Sequence, residues 1–426
     1  MVYVLAFLQL FMITSIAVYE CKLKSPVVFL WATLLLMFGI THFFTTFFDR
    51  SFSLTIFFKA SIFSVLFCIF YLSTRLFLNL KYENNLNQKL SNISYLEDDK
   101  KYYLLKFSFF ISVFYLFYFI KKSSNSFLDI TWSDVINIGA SQKYVSLFQA
   151  FMLSYFSLCG LLLYYFVKRD KRSIVYFFVI LFIGFLFRKR ISFIPIFVAF
   201  IAIYLFNMKK IRISTIIVYI LFAFFVIYIV YAIRAFRWYG SYNSYLKEGS
   251  IHAINDQIIL FLKSDNGELG LKKWFYYFIK NNNNFVNFGK GHTYIRMLLV
   301  YFPTEFTWNI KPPDFAISMG QAIGMTAARG SMHPTLFADC YANLGWFGIF
   351  LGILWAFLAN ISDRILLKQN SKIFICLMYA LFSYSFIVIG RGSVYNGFHQ
   401  SAIGLPILLF FEWFSRKIKL NRKKIY

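Results

Sequence analysis

His333, in the run Ser331-Met332-His333-Pro334-Thr335, is the side chain here best suited to take a proton from a hydroxyl near neutral pH, because an imidazole titrates close to pH 6.5. The alternative for a lone histidine before a proline is a cap or a loop hydrogen bond. Pro334 suits a first helical turn, having no N–H to lose, so a helix is predicted over 335–360 with His333 at its outer mouth. On that helix Asp339 and Asn343 are four apart and share a face, while Gly345, Gly348 and Gly352 form a small-residue stripe that admits a neighbouring helix. The remaining chemistry is cationic. Arg188, Lys189 and Arg190 make one turn, Arg234 and Arg237 end another segment, and Arg391 lies between Gly390 and Gly392. Guanidinium is planar, always charged and bidentate towards phosphate oxygens, so arginines converging on one membrane face suit a lipid-linked diphosphate. Snorkelling to headgroups is the alternative for the first group and charge at a helix C-terminus for the second. Glycine on both sides of Arg391 permits close backbone approach to a ligand. His42, His252 and His292 are weaker candidates, and His399 is a reserve base. No H-E-x-x-H, D-x-D or Cys/His cluster occurs, so neither metal nor cofactor is expected. The five cysteines are odd in number and scattered, which argues against a disulfide framework.

The elements that must position these groups are apolar helices. Hydrophobic residues make up 59% of the 426 and charged residues 15%, against about 45–50% apolar in a soluble domain, so the surplus apolar surface must face lipid. Lys and Arg number 44 against 18 Asp and Glu, a net charge of +26. On such a chain that points to an anionic leaflet and anionic substrates, and with no soluble basic module, nucleic acid is not an expected partner. A spanning helix needs about 20 mostly apolar residues. Eleven segments qualify, at 2–19, 26–48, 52–72, 103–120, 144–167, 173–187, 191–206, 213–233, 335–360, 372–389 and 396–414. The fold class is therefore an all-α polytopic membrane protein with 10–12 spans, one integral membrane domain over 1–426. The basic stretches 20–25, 73–102, 168–172, 207–212, 362–372 and the tail from 416 fall at every second connection, which places them in the cytoplasm. Strict alternation then puts the N-terminus, 121–143 and the long segment 234–334 outside. That segment holds eleven Lys or Arg, and its stretches IHAINDQIILFLK and GHTYIRMLLVYF are predicted as short helices on or dipping into the outer surface. The helices on either side of Arg188–Arg190 are short, roughly 23 Å each against a hydrocarbon core of about 30 Å, so that turn is expected below the outer surface.

An eleven-helix basic chain with a large late external loop, an RKRIS turn, and H-P-x(4)-D-x-Y-x-N-x-G-x-x-G from His333 to Gly348 resembles the Wzy family of O-antigen and capsule repeat-unit polymerases. The architecture covers nearly the whole chain and the motifs only 188–192, 234–237, 331–352 and 391–400. The resemblance extends to the GT-C type of membrane glycosyltransferase. It implies a metal-independent enzyme of the bacterial cytoplasmic membrane that passes a growing glycan from undecaprenyl diphosphate to the non-reducing end of a lipid-linked repeat unit. A chain-length regulator would be a further partner. It also implies catalytic roles for His333, Arg190 and Arg391, and substrate contacts for Arg188, Arg234, Arg237, Asp339, Tyr341, Asn343 and His399. The related O-antigen ligases usually carry Asn, Ser or Gln after the histidine; Pro334 here favours polymerase over ligase. A flippase would need charge along both halves of the membrane and usually an internal repeat, and an acyltransferase would not call for three arginine sites. Impermeant cysteine labelling checks the topology: 188–190, 234–334 and 391–395 are expected outside, and position 170 is expected to label only from the cytoplasm.

Overall fold

A computed structural model describes residues 1–48, 51–82, 86–91, 160–165, 170–186, 270–284, 288–302, 306–307, 310–322 and 333–422, besides a few single positions. These residues are helical, with no strand among them. In chain order the helices are α1 (Val2–Leu23), α2 (Val28–Leu34), α3 (Ile40–Phe48), α4 (Leu54–Tyr82), α5 (Leu86–Ser91), α6 (Arg172–Leu186), α7 (Lys272–Lys280), α8 (His292–Leu298), α9 (Phe315–Ala322), α10 (Leu336–Leu344), α11 (Leu351–Lys368), α12 (Lys372–Gly390) and α13 (Val394–Arg422). Among the described residues, five stretches are long and apolar enough to cross a membrane: Val2–Leu23, Val28–Phe48, Leu54–Leu80, Leu336–Lys368 and Ile373–Gly390. The expected helices at 103–120, 191–206 and 213–233, and most of 144–167, lie outside the described residues.

The chain forms two compact units: Met1–Leu90 with Asn266–Lys368 and Leu381–Ile407, and Ser91–Asp265 with Gln369–Ala380 and Leu408–Tyr426. In the second unit Asp170 caps α6, its Oδ1 accepting the Arg172 amide at 2.9 Å. The Arg172 guanidinium stands 5.2 Å from the Tyr165 ring centroid.

The first unit is organised around Arg75, which has no solvent exposure. Its Nε donates to Glu20 Oε1 at 2.9 Å and its Nη2 to Glu20 Oε2 at 3.0 Å, while Nη2 also bonds Asp363. The Tyr71 hydroxyl donates to Glu20 at 2.6 Å and the Ser25 hydroxyl to Asp363 at 2.7 Å. An isolated buried charge is expensive, and pairing is what makes it tolerable. That pairing corrects two expected boundaries. α4 continues past 72 to Tyr82, and α11 continues past 360 to Lys368, because Arg75 and Asp363, which look like loop charges, pair with one another inside the bundle while Arg75 also pairs with Glu20.

The expected continuous helix over 335–360 is instead a hairpin. Phe337 meets Phe67 at 5.2 Å and Tyr341 meets Phe63 at 5.3 Å, so α10 runs antiparallel to α4. Phe350 meets Phe70 at 4.8 Å, and Gly352 abuts the Phe67 carbonyl and Tyr71 amide, so α11 runs parallel to α4. A Cβ at Gly348 would strike the Cys340 carbonyl, an atom that would lie roughly 12 Å away along a straight helix. The reversal occurs at Gly345, whose φ of 58° and ψ of −136° are essentially open to glycine alone. The glycine stripe does admit a neighbour, which is α4, but it also lets the hairpin arms touch. Between α2 and α3 a π-helical turn spans Leu35–Gly39. Just beyond it, fully buried His42 bonds Tyr276 of α7 at 2.6 Å and Ser61 of α4 at 2.8 Å; it is a core histidine.

Replacing Arg75 with Met should leave two buried carboxylates facing each other and cost about 3–5 kcal/mol. Asp363→Asn should cost less, since it leaves the charge-balanced pair of Glu20 and Arg75, and the triple variant Glu20→Gln, Arg75→Met, Asp363→Asn should regain most of the loss. Thermal unfolding of detergent-purified protein checks that order.

Candidate functional site

Arg188, Arg190, Arg234 and Arg237 lie outside the described residues, as does the IHAINDQIILFLK stretch apart from three positions. The other expected site residues all fall in the first unit, and a segment of the long loop runs among them. The KNNNN turn brings this segment in: Asn282 and Asn283 have φ of 49° and 61°, a left-handed conformation that asparagine tolerates better than most residues. Asn283 Nδ2 then donates to the Tyr341 carbonyl at 2.7 Å. α8, the short helix expected in GHTYIRMLLVYF, lies along α10.

Asp339 and Asn343 share a face, as their spacing requires, and both are fully buried. Asn343 Oδ1 accepts the Thr293 amide at 3.0 Å, Asn343 Nδ2 donates to the Thr293 hydroxyl at 3.0 Å, and that hydroxyl donates to Asp339 Oδ2 at 3.1 Å. The Gly291 amide adds a bond to the Asn343 carbonyl at 3.0 Å. These two side chains, expected as substrate contacts, clamp the loop segment to α10. Tyr341 is equally buried, with Phe63 and Trp346 edge-on to its ring. His292 accepts the Gly289 amide on Nδ1 at 3.3 Å, and burial lowers its pKa below the ordinary imidazole value, in keeping with a neutral ring that accepts.

His333 and Arg391 are brought together, but not where the charge pattern put them. α10 starts at Leu336 with Thr335 as its N-cap residue, so Pro334 precedes the first turn rather than forming it. Gly392, with φ of 100°, sits so closely on Pro334 that a Cβ there would overlap its carbonyl oxygen. The Arg391 turn and the His333 backbone are thus neighbours, and both side chains are half-buried. Gly390 packs on the Leu30 carbonyl and Thr33. Trp31, beside Leu30, meets Tyr71 at 4.7 Å, and Tyr71 lies roughly 25 Å along α4 from Leu54 at 1.5 Å per residue. The pair is therefore recessed within the helices instead of standing at an outer mouth. The hairpin is the reason: α10 begins deep and runs back towards Gly345.

A second cationic group was not singled out by sequence. Arg296, on α8, donates from Nη1 to the Pro312 carbonyl at 2.6 Å, and its guanidinium carbon lies 4.4 Å from the Tyr395 ring centroid. Lys311 donates to the Phe302 carbonyl at 2.6 Å. Burial, and then the nearby Arg296, hold the Lys311 pKa below the ordinary lysine value. Neither cation has a carboxylate within 4 Å among the described residues. Tyr395 and His399, four apart on α13, have ring centroids 5.7 Å apart, and His399 is within electrostatic reach of both Lys311 and Arg296. Nothing in composition separates Arg296 from the loop's other basic residues; the usable signal was the Lys311-Pro312-Pro313 turn, whose rigid backbone presents the carbonyl that Arg296 binds.

One further bond ties the loop to α13. Pro406 has no N–H for the Ala402 carbonyl four residues earlier, and the Tyr301 hydroxyl donates to that carbonyl at 2.9 Å instead.

Compared with known proteins, the chain matches no family model, no curated protein and no solved structure. Two measurements probe the site as built. Asn343→Ala, which strands the Thr293 amide, should destabilise the clamp by about 1–3 kcal/mol and raise hydrogen exchange over residues 288–302 before the rest of the unit. A cysteine at exposed Lys290 should label readily with an impermeant reagent, and one at the recessed Ser393 at least about tenfold more slowly, as expected for a buried backbone.

Proposed function

We propose that the chain is a repeat-unit polymerase of lipid-linked saccharides, a metal-independent glycosyltransferase. The observation that supports it best is the seating of the Gly392 turn on the Pro334 carbonyl, which makes an arginine and a histidine neighbours inside an apolar helical unit. Arginine within a membrane bundle is costly and marks substrate sites more often than packing. In this reading Arg391 holds the diphosphate; Arg190 and Arg234, the other expected ligands, lie outside the described residues. The acceptor hydroxyl oxygen forms a bond to the anomeric carbon of the growing chain as the carbon–oxygen bond to the diphosphate breaks. The hydroxyl proton passes to His333, and undecaprenyl diphosphate leaves with the electron pair, its growing charge stabilised by guanidinium. Substrates would reach this recessed pair from the outer face of the bacterial cytoplasmic membrane.

A second reading, a flippase for the same saccharide, is favoured by one observation: a helix reversed at Gly345 in the same unit as recessed charge, since interrupted helices with buried charge are what carriers use at their binding sites. The surface polysaccharide of a deletion strain separates them. A single repeat unit on the lipid anchor is the expected result; accumulated cytoplasmic-face precursor means flippase, and a bare anchor means ligase. With purified protein and lipid-linked repeat units, His333→Ala should slow polymer formation by roughly 10²- to 10⁴-fold. Arg391→Lys should rescue Arg391→Ala poorly, because an ammonium lacks the planar fork.

A further inference from the structure

We propose that Arg296 and Lys311 bind a carboxylate carried by the saccharide, so that the polymerised unit is an acidic oligosaccharide. The inference rests on the polymerase reading and adds a substrate class to it.

Two cations on one short segment repel each other, and each donates to a backbone carbonyl, Pro312 and Phe302 respectively, with no carboxylate within 4 Å of either among the described residues. Arg296 Nε is buried with no hydrogen-bond partner, a donor that an incoming oxyanion would satisfy. Asp314 is within electrostatic reach of Tyr395. Its Oδ1, however, accepts the Ala316 amide at 2.9 Å at the start of α9, and it forms no ion pair with Arg296 or Lys311. An incoming oxyanion could pair with both cations, since a guanidinium beside an ammonium is a pairing that carboxylates and phosphates both accept.

Two features favour the sugar's own carboxylate over the lipid's diphosphate. Both cations belong to the long loop, which by the charge pattern faces the compartment holding the saccharide, whereas Arg391 lies on the turn between α12 and α13. Arg296 lies over the Tyr395 ring, which holds the guanidinium fork in place and reduces the ordering cost of binding.

The test is equilibrium binding to full-length detergent-purified protein of a uronate-containing tetrasaccharide, its carboxyl-reduced counterpart, and inorganic pyrophosphate. The acidic saccharide should bind at least about tenfold more tightly than the reduced one, the scale of a charge-assisted hydrogen bond. Arg296→Gln and Lys311→Gln should each bring it down to the reduced level. If Arg296→Gln fails to fold, Lys311→Gln and the wild-type comparison still decide. Equal binding of the two saccharides overturns the proposal. So does pyrophosphate binding that Lys311→Gln abolishes while saccharide binding is untouched, which assigns the cations to the lipid headgroup. The polymerase reading fails separately: a deletion strain with normal polymer overturns that reading even where the acidic saccharide binds, and an enzyme that polymerises acidic and reduced units alike overturns only the subsite.

Discussion

One guanidinium shared by two carboxylates holds the first unit together. Arg75 on α4 bonds Glu20 on α1 and Asp363 on α11 with all three side chains withdrawn from solvent. Apolar contacts among these helices fit many registers, since one leucine or phenylalanine replaces another at little cost. A two-point fork does not: a slip of one residue in any of the three turns the partner away. In a medium without water to rescue stranded charges, the cluster selects one arrangement more than it adds net stability. α10 and α8 are then placed against a frame already set.

What rests on that frame is a loop brought inside. Thr293 exchanges three hydrogen bonds with Asp339 and Asn343, in a setting where unsatisfied polar groups are expensive. The loop segment replaces water for α10, and α10 does the same for the loop. Two polar side chains that appear suited to a ligand are consumed in building the wall of the site, and the groups left facing it are the basic and aromatic ones on α8, α13 and the two turns.

Much of the architecture was legible in the sequence. Apolar runs locate α1, the interrupted 28–48 rod, α6 and α12 within a few residues, and the starts though not the ends of α4 and α13, because length and hydropathy are set by the membrane itself. The shared face of Asp339 and Asn343, the short helix at 292–298 and the closeness demanded by the glycine stripe follow from local spacing. The reversal at Gly345 does not, since hydropathy is the same whether a helix continues or folds back, and a glycine in an apolar run is compatible with both. Depth was lost with it: His333 and Arg391 read as outer residues only while 335–360 was one rod. Arg75 and Asp363 misled for a related reason, as single-sequence reading assigns each charge to water unless its partner is adjacent, and these partners are hundreds of residues apart. Arg296 and Lys311 became distinct from the loop's other cations only through what surrounds them.

Proline inside a membrane helix is usually a hinge, because the carbonyl it strands loosens the turn before it. In α13 the stranded Ala402 carbonyl is held by the hydroxyl of Tyr301, a residue belonging to a different segment of chain. The stiffness of α13 is thus lent to it from outside. Any event that lifts residues 299–302 away returns that carbonyl to an apolar setting unsatisfied, and the helix softens at Pro406. Bending of the last helix and seating of the loop are two readings of one mechanical coordinate.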